Sequence, residues 1–264
     1  MTPPLLSVSH LGKSYQGVKA VTDVSFSLVR GELIALIGPN GAGKSTCFNM
    51  LNGQIRPDAG SVTLDGVKTS GLSPARIFRL GVGRTFQIAE VYLSMTVREN
   101  VQVAILSHAG NLSGWTGFFG RLDRKFRREA EELIGLIGLG DQADRSCREL
   151  PYGDVKRLEL AIALAGDPKL LLMDEPAAGM APRERIELMK LTARIVEERQ
   201  IGVLFTEHDM DVVFEHADRI LVLNRGNLIA EGSPEEVRAN AQVRAIYLGE
   251  GLVYDARHRE GATP

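Results

Sequence analysis

One glycine-rich segment, residues 38–46, constrains this chain more than any other part of its sequence. The segment reads GPNGAGKST and fits the pattern G-x-x-x-x-G-K-[ST] at every fixed position. Those positions are Gly38, Gly43, Lys44 and Ser45. The apolar residues 32–37 before it predict a buried strand, and residues 44–51 predict the start of a helix. Backbone N–H groups in such a strand–loop–helix unit converge on phosphate oxygens, so the segment predicts a nucleoside triphosphate site.

The side chains of this loop divide between phosphate and metal contacts. We expect the Lys44 ammonium to reach the β- and γ-phosphates and the Ser45 hydroxyl to ligate Mg²⁺. The N-terminus of the following helix adds about half a positive charge beside the phosphates. The predicted nucleotide-binding residues of the loop are Gly38, Asn40, Gly41, Gly43, Lys44, Ser45 and Thr46.

The composition excludes several other classes of protein. A length of 264 residues suffices for one large domain or two subdomains, and a formal net charge of −2 gives no global reason to expect nucleic-acid binding. No window approaches the ~18 consecutive apolar residues of a membrane span. The first residues lack the features of a secretory signal, and Cys47 and Cys147 do not indicate a disulfide framework. The composition predicts a cytosolic α/β protein.

Apolar periodicity divides the chain into three parts. Residues 5–35 alternate apolar and polar, which is typical of half-exposed antiparallel strands, whereas residues 94–165 are mostly helical in pattern. Strand–helix alternation returns from Lys169. The elements predicted there are a strand at 170–173, a helix at about 182–199, a strand at 201–205, a hairpin over 220–231 and a helix beginning at Ser233.

Two features of the helical part allow more than one interpretation. Residues 110–120 form a glycine-rich loop with the only Trp, which is either a docking surface for a membrane partner or a loop folded onto its own helices. The helix predicted at about 121–137 carries a basic run. Because Glu129, Glu131 and Glu132 follow at once, we interpret it as a solvated helix face rather than a surface for nucleic acid or anionic lipid.

A second acidic segment complements the phosphate loop. Four apolar residues, 170–173, are followed by Asp174 and Glu175 at the predicted carboxyl end of a strand, where α/β proteins usually bind ligands. We expect Asp174 to hold Mg²⁺, directly or through water, and Glu175 to polarise the attacking water as general base.

The order of these motifs resembles that of an ABC transporter nucleotide-binding subunit, over nearly the whole chain from Tyr15 onward. The motifs are Lys44, Gln87, residues 150–153, residues 174–176 and His208. The resemblance implies an α/β fold with a RecA-like phosphate-loop core, an N-terminal antiparallel β-subdomain and an inserted α-helical subdomain. It places the core at residues 1–87 and 166–264 and the helical subdomain at residues 88–165 of one nucleotide-binding domain.

The resemblance also implies roles for individual residues. Tyr15 would stack on adenine, Gln87 would contact Mg²⁺ and water and link the site to the membrane partner, and His208 would contact the γ-phosphate. Gly153 lies in the signature loop, which in this family binds the γ-phosphate held by the opposite subunit, so that two chains enclose two ATP molecules. The implied catalytic residues are Glu175, His208 and Gln87, and the implied metal contacts are Ser45, Gln87 and Asp174.

The signature loop departs from the family pattern. Pro151 stands in place of Ser, Tyr152 in place of Gly, and Asp154 in place of Gln, while residues 177–180 differ from the usual Ser-x-Leu-Asp. Pro removes a hydroxyl and a backbone donor, and Asp154 brings negative charge toward an anionic ligand. We therefore hypothesise that the chain hydrolyses ATP at its own phosphate loop and that a partner's signature completes the site.

Four segments resemble the branch of ATPases that serves importers of branched-chain and other apolar amino acids: residues 83–87, 175–179, 207–210 and 247–250. This branch implies transmembrane permease subunits, a second ATPase subunit, a solute-binding protein and a peripheral position on the cytoplasmic face of the membrane. Two alternatives stay open: an ATP-binding subunit with weak or no hydrolysis, and a non-transport member of the same superfamily.

Overall fold

The computed structural model describes residues 3–85, 91–108 and 122–249 and builds them into two sheets with helices. The smaller sheet is antiparallel, in the order β2-β1-β4-β5. Its strands are β1 Leu6–Tyr15, β2 Val18–Leu28, β4 Ala59–Leu64 and β5 Val67–Lys68. The period-two pattern of the N-terminal part is thereby confirmed as antiparallel strands.

The larger sheet is mainly parallel, in the order β10-β9-β3-β8-β7-β6, with β10 antiparallel to its neighbour. Its strands are β3 Leu33–Ile37, β6 Val82–Thr85, β7 Leu170–Asp174, β8 Gly202–Thr206, β9 Arg219–Asn224 and β10 Asn227–Gly232. All five residues of β3 are buried, because a parallel sheet covered on both faces needs apolar side chains on both. The carboxyl ends of β3, β8 and β7 therefore lie along one edge.

The helices follow the sequence prediction closely where capping signals are strong. They are α1 Lys44–Leu51, α2 Pro74–Arg79, α3 Val97–His108, α4 Leu122–Leu136, α5 Tyr152–Leu164, α6 Pro182–Arg199, α7 Met210–His216, α8 Pro234–Ala239 and α9 Ala241–Gly249. The Ser233 side chain accepts a hydrogen bond from the Glu236 backbone N–H and caps α8. Within the described ranges, no helix is long and apolar enough to cross a membrane.

Helix α4 has one apolar and one charged face. Phe126, Ala130 and Leu133 are buried against the neighbouring helices. The opposite face carries ion pairs one turn apart: Lys125 with Glu129, Arg127 with Glu131, and Arg128 with Glu132. These pairs confirm a solvated helix face for the part of the basic run that the structure describes.

Two apolar cores lie on the two faces of the parallel sheet. Ile34 and Leu36 of β3 pack in a core shared with α1 and the antiparallel sheet, whereas Ala35 and Ile37 pack in a core shared with the other helices. The free cysteines Cys47 and Cys147 are both buried. The phosphate loop leaves β3 between these cores, so packing on both sides holds it in place.

Several predictions fall outside the described residues. Gln87 and the loop at residues 110–120 belong there, as does Glu250 of the C-terminal segment. The division of the domain at residues 87 and 88 and at residues 165 and 166 stays a prediction. Strand β6 and helix α2 were not predicted from the sequence. The Gly-Arg pair inside β6 breaks the apolar run by which a buried strand is found.

Candidate nucleotide-binding site

The phosphate loop begins where β3 ends, and its glycines are required by close backbone contacts. Gly38 has a φ of 152°, and a Cβ atom there would lie 2.1 Å from the carbonyl oxygen of Leu223. Gly43 has a φ of 105°, and its Cβ would lie 2.4 Å from the carbonyl oxygen of Ala20. Any side chain at either position would displace neighbouring backbone, so the loop curls tightly only with glycine.

Lys44 and Ser45 begin α1 in different environments. Lys44 is buried, and its ammonium Nζ donates to the carbonyl oxygens of Gly38 at 2.5 Å and Pro39 at 3.2 Å. Ser45 is exposed. No side chain among the described residues caps the N-terminus of α1, so its first N–H groups face the loop as phosphate donors.

Asp174 and Glu175 follow at the end of β7, on the sheet edge where β3 also ends. Asp174 Oδ1 accepts a hydrogen bond from the Thr206 hydroxyl at 2.8 Å, and its Oδ2 lies 3.5 Å from the Arg84 guanidinium. The Asp174 side chain is one-fifth exposed, with a relative accessibility of 20%. Its carboxylate is thus oriented by two neighbours and still reaches solvent.

Glu175 adopts a left-handed backbone conformation, with φ of 50°. Its Oε1 lies 2.8 Å from His208 Nε2, so the predicted base and the predicted γ-phosphate contact are hydrogen-bonded to each other. The His208 side chain is about half exposed and the Glu175 side chain is mostly covered. The structure therefore brings His208 to the adjacent acids Asp174 and Glu175, which lie more than 30 positions away in the sequence.

Three residues missed by the sequence analysis organise this edge. Thr206 bonds both Asp174 and Glu175. Arg84 donates to Asn49 Oδ1 in α1 at 2.9 Å and so connects α1 with Asp174. The third, Glu207, was quoted as part of a motif but given no role. A polar residue at the carboxyl end of a buried strand is the only signal that could have drawn attention to Thr206.

Glu207 is a buried carboxyl group that joins two loops. It accepts hydrogen bonds from the Ala177 N–H at 2.8 Å and the His208 N–H at 3.3 Å. Burial raises the pKa of this carboxyl above its ordinary value, and the two N–H donors partly oppose the shift. The loop after Glu175 and the loop carrying His208 are therefore linked through one acid.

The predicted adenine contact lies on the antiparallel sheet. Tyr15 ends β1 with its ring 44% exposed, and the Lys13 ammonium lies 5.6 Å from the ring centre. The stacking role of Tyr15 stays a prediction, as does the role of Gln87.

The altered signature loop is held by contacts within its own chain. Pro151 precedes α5, and the Tyr152 hydroxyl donates to the Ala178 carbonyl at 3.2 Å, across to the loop that follows Glu175. The Asp154 carboxylate accepts from Gln142 Nε2 at 2.9 Å in the first turn of α5, where the helix dipole favours a negative charge. Gly153 is buried, and a Cβ there would lie 3.0 Å from the Glu184 carboxyl carbon.

The donor set fits a nucleoside triphosphate with Mg²⁺. The glycine cradle and the buried ammonium suit phosphate oxygens, and the exposed Ser45 hydroxyl and the Asp174 carboxylate suit a hard cation. The part of the chain that the structure describes holds no group of three or more His, Cys, Asp or Glu residues able to bind a metal alone.

Comparison with known proteins identifies the family. The ABC transporter family profile matches residues 21–178, and a profile described as branched-chain amino acid ATP-binding cassette transporter matches residues 227–253. The high-affinity branched-chain amino acid transport ATP-binding protein LivG of Salmonella typhimurium is 42% identical over 254 residues, covering 95% of this chain and 100% of that protein. The chain therefore belongs to the ABC transporter family.

Solved structures agree with this assignment. An ATP-binding cassette of an ABC transporter, in its ADP conformation, matches with a TM-score of 0.82 and 29% identity over 94% of this chain and 100% of that one. A dimeric cassette bound to ADP and Pi in a post-hydrolysis state matches with a TM-score of 0.72 and 25% identity over 87% and 98%. The predicted RecA-like α/β fold with an antiparallel β-subdomain and a helical insertion is confirmed, and the chain is an ABC ATPase.

Proposed function

We propose that this ATPase powers a membrane importer for branched-chain amino acids or related small apolar solutes. The observation that carries the hydrolytic part of the proposal is the 2.8 Å contact between Glu175 and His208, at the sheet edge where the phosphate loop also begins. A chain that only stored ATP would not require a carboxylate held at this edge by a histidine and a strained backbone. The likeness to LivG supports the solute class.

The chemistry follows from the roles of the site residues. Lys44 and the N-terminus of α1 bind the phosphates. Ser45 and Asp174 would hold Mg²⁺, which would neutralise charge on the phosphates. Glu175 accepts a proton from water as the water oxygen bonds to the γ-phosphorus. The bond from that phosphorus to the bridging oxygen breaks, and ADP and phosphate form. His208 exchanges its contact with Glu175 for one with the γ-phosphate.

The further partners follow from the architecture of the proposed site. Gly153 and its loop face a second ATPase subunit in this proposal, and the signature of that subunit completes the site at Lys44. The existence of a dimeric cassette bound to ADP and Pi among the similar structures supports a second ATPase subunit. The ATPase pair docks on transmembrane permease subunits at the cytoplasmic face of the membrane, and a solute-binding protein delivers the solute from the other side. The chain itself stays peripheral in this arrangement.

Deletion of the gene in its own organism tests the proposal. We expect cells without it to lose energy-dependent uptake of labelled leucine, isoleucine and valine. The wild-type gene should restore uptake and the E175Q gene should not. Loss of uptake of another solute, with leucine unaffected, would contradict the solute class alone. Unchanged uptake of every solute tested would contradict the importer role.

A second candidate is a subunit that binds ATP at its own loop but hydrolyses it weakly. The specific observation in its favour is Pro151. In a homodimer this signature loop would serve the phosphate loop of an identical chain, and Pro151 would offer that phosphate neither a hydroxyl nor a backbone N–H. Phosphate release by the purified chain, alone and with its partner subunit, separates the two candidates. Equal and full rates in both samples would exclude the second candidate.

A further inference from the structure

Thr206 occupies a singular position between the two acids of the proposed site. It is the last residue of β8, is 1% exposed, and pairs in register with Asp174 of the adjacent strand β7. A buried position at the carboxyl end of a parallel strand does not require a polar side chain, because Val or Ile fits such a strand better.

The Thr206 hydroxyl acts as the donor in one hydrogen bond and as the acceptor in another. It donates to Asp174 Oδ1 at 2.8 Å and accepts from the Glu175 backbone N–H at 3.1 Å. The carbonyl oxygen of Thr206 accepts from the same N–H, also at 3.1 Å. Since a hydroxyl has a single proton, its donation to the carboxylate leaves its lone pairs for the N–H. One side chain therefore fixes two neighbouring residues at once.

The second of these bonds supports a costly backbone conformation. Glu175 has a φ of 50°, and the left-handed region is disfavoured for a non-glycine residue because its Cβ approaches the following carbonyl oxygen. The Glu175 side chain reaches His208 from this conformation. An N–H shared between two acceptors of Thr206 opposes relaxation of Glu175 toward ordinary strand geometry, which would turn its carboxylate elsewhere.

The first bond orients the other acid. Arg84 approaches Asp174 at Oδ2, 3.5 Å away, so it does not duplicate the contact that Thr206 makes at Oδ1. Without the hydroxyl, Asp174 would keep a partner on one oxygen only and could rotate about its side-chain bonds. Asp174 Oδ1 would then move away from the position in which the Thr206 hydroxyl of β8 holds it.

We infer that Thr206 is a positioning residue, which sets the direction of the Asp174 carboxylate toward Mg²⁺ and that of the Glu175 carboxylate toward the attacking water. This inference rests on the proposed function, because it takes those two carboxylates as the metal contact and the general base. It assigns to the carboxyl end of β8 a role in hydrolysis that is separate from the histidine two residues later.

The test compares T206V with T206S. Valine keeps the branched shape and removes the hydroxyl, whereas serine keeps the hydroxyl. We expect T206V to lower kcat about tenfold or more, with a small change in KM for ATP, and T206S to stay within about threefold of wild type. Titration of Mg²⁺ against binding of a non-hydrolysable fluorescent ATP analogue should show a several-fold higher midpoint for T206V alone.

A matched control removes another buried hydroxyl. Thr192 in α6 is also 1% exposed and donates to the Leu188 carbonyl at 2.9 Å, away from the site, so T192V should leave kcat and the Mg²⁺ midpoint unchanged. Melting temperatures identify any variant that fails to fold. Equal losses in T206S and T206V, or wild-type kcat in T206V, would overturn the inference. An inactive wild-type chain with its partner present would instead contradict the proposed function.

Discussion

At the scale of single residues, the direction of Glu175 is set by its backbone as much as by its side chain. Its backbone N–H donates to the Thr206 hydroxyl, which supports the left-handed conformation. Its carboxylate is hydrogen-bonded to His208. Strained residues of this kind persist only where surrounding contacts over-determine them, and they concentrate at functional sites. The proposed role of Glu175 as general base can accordingly be tested by a single substitution.

Replacing Glu175 with Gln keeps its shape and removes its ability to accept a proton. We expect phosphate release to fall about 100-fold or more, because a general base contributes about that much. ATP binding should persist, and ATP-bound dimers should accumulate on size-exclusion chromatography with light scattering. E187Q is the control, since Glu187 forms an exposed ion pair with Arg157 outside the site. Wild-type turnover in E175Q would remove Glu175 from its proposed role.

At the scale of elements, Glu207 ties the loop after β7 to the loop after β8. Both loops donate a backbone N–H to this one buried carboxyl, through Ala177 and His208. A shift of either loop changes the hydrogen bonding of the other through this contact. The connection uses backbone donors, so it does not depend on the identity of Ala177.

The raised pKa of Glu207 predicts a pH dependence of stability. Because burial favours the protonated carboxyl in the folded chain, its stabilising contribution is complete below the ordinary value of 4.5 and is lost as pH rises through the higher folded pKa. Melting temperatures of the wild type and E207Q, measured from pH 4.5 upward, should therefore diverge in favour of E207Q. Parallel profiles would contradict this assignment.

At the scale of the whole molecule, the signature loop would act on a partner's phosphate in the proposed dimer. Its observed contacts, however, are with its own chain. Tyr152 reaches the loop after Glu175, and Asp154 is bonded by Gln142. The negative charge of Asp154 is thereby held within the chain by Gln142. In the proposed dimer we expect this charge to lie near a partner's phosphate.

Replacing Asp154 with Gln restores the residue usual at this position in the family. We expect the ATPase rate of the isolated chain to rise several-fold, because a negative charge near a bound phosphate is removed while the amide still accepts from Gln142. D141N is the control, because Asp141 is an exposed acid near the same turn. If D154Q and the wild type hydrolyse ATP at the same rate, the charge of Asp154 does not limit the activity of the signature loop.

Local signals were sufficient for much of the fold. The predicted start of α1 and the predicted bounds of α6 agree with the structure, because a phosphate-loop glycine precedes the first helix and a proline begins the second. β6 escaped prediction because its four residues include Gly83 and Arg84, and its strand form depends on pairing with β7. The general rule is that short edge elements take their structure from a neighbour.

The sequence by itself determined the phosphate loop, the acid pair and the alternation of strands and helices, because each is a pattern of nearby residues. Tertiary structure decided which of those patterns meet. Parallel pairing of β7 with β8 sets Thr206 beside Asp174 and brings His208 to Glu175, contacts between residues more than 30 positions apart. No local pattern encodes such a contact, since it exists only after the sheet has formed.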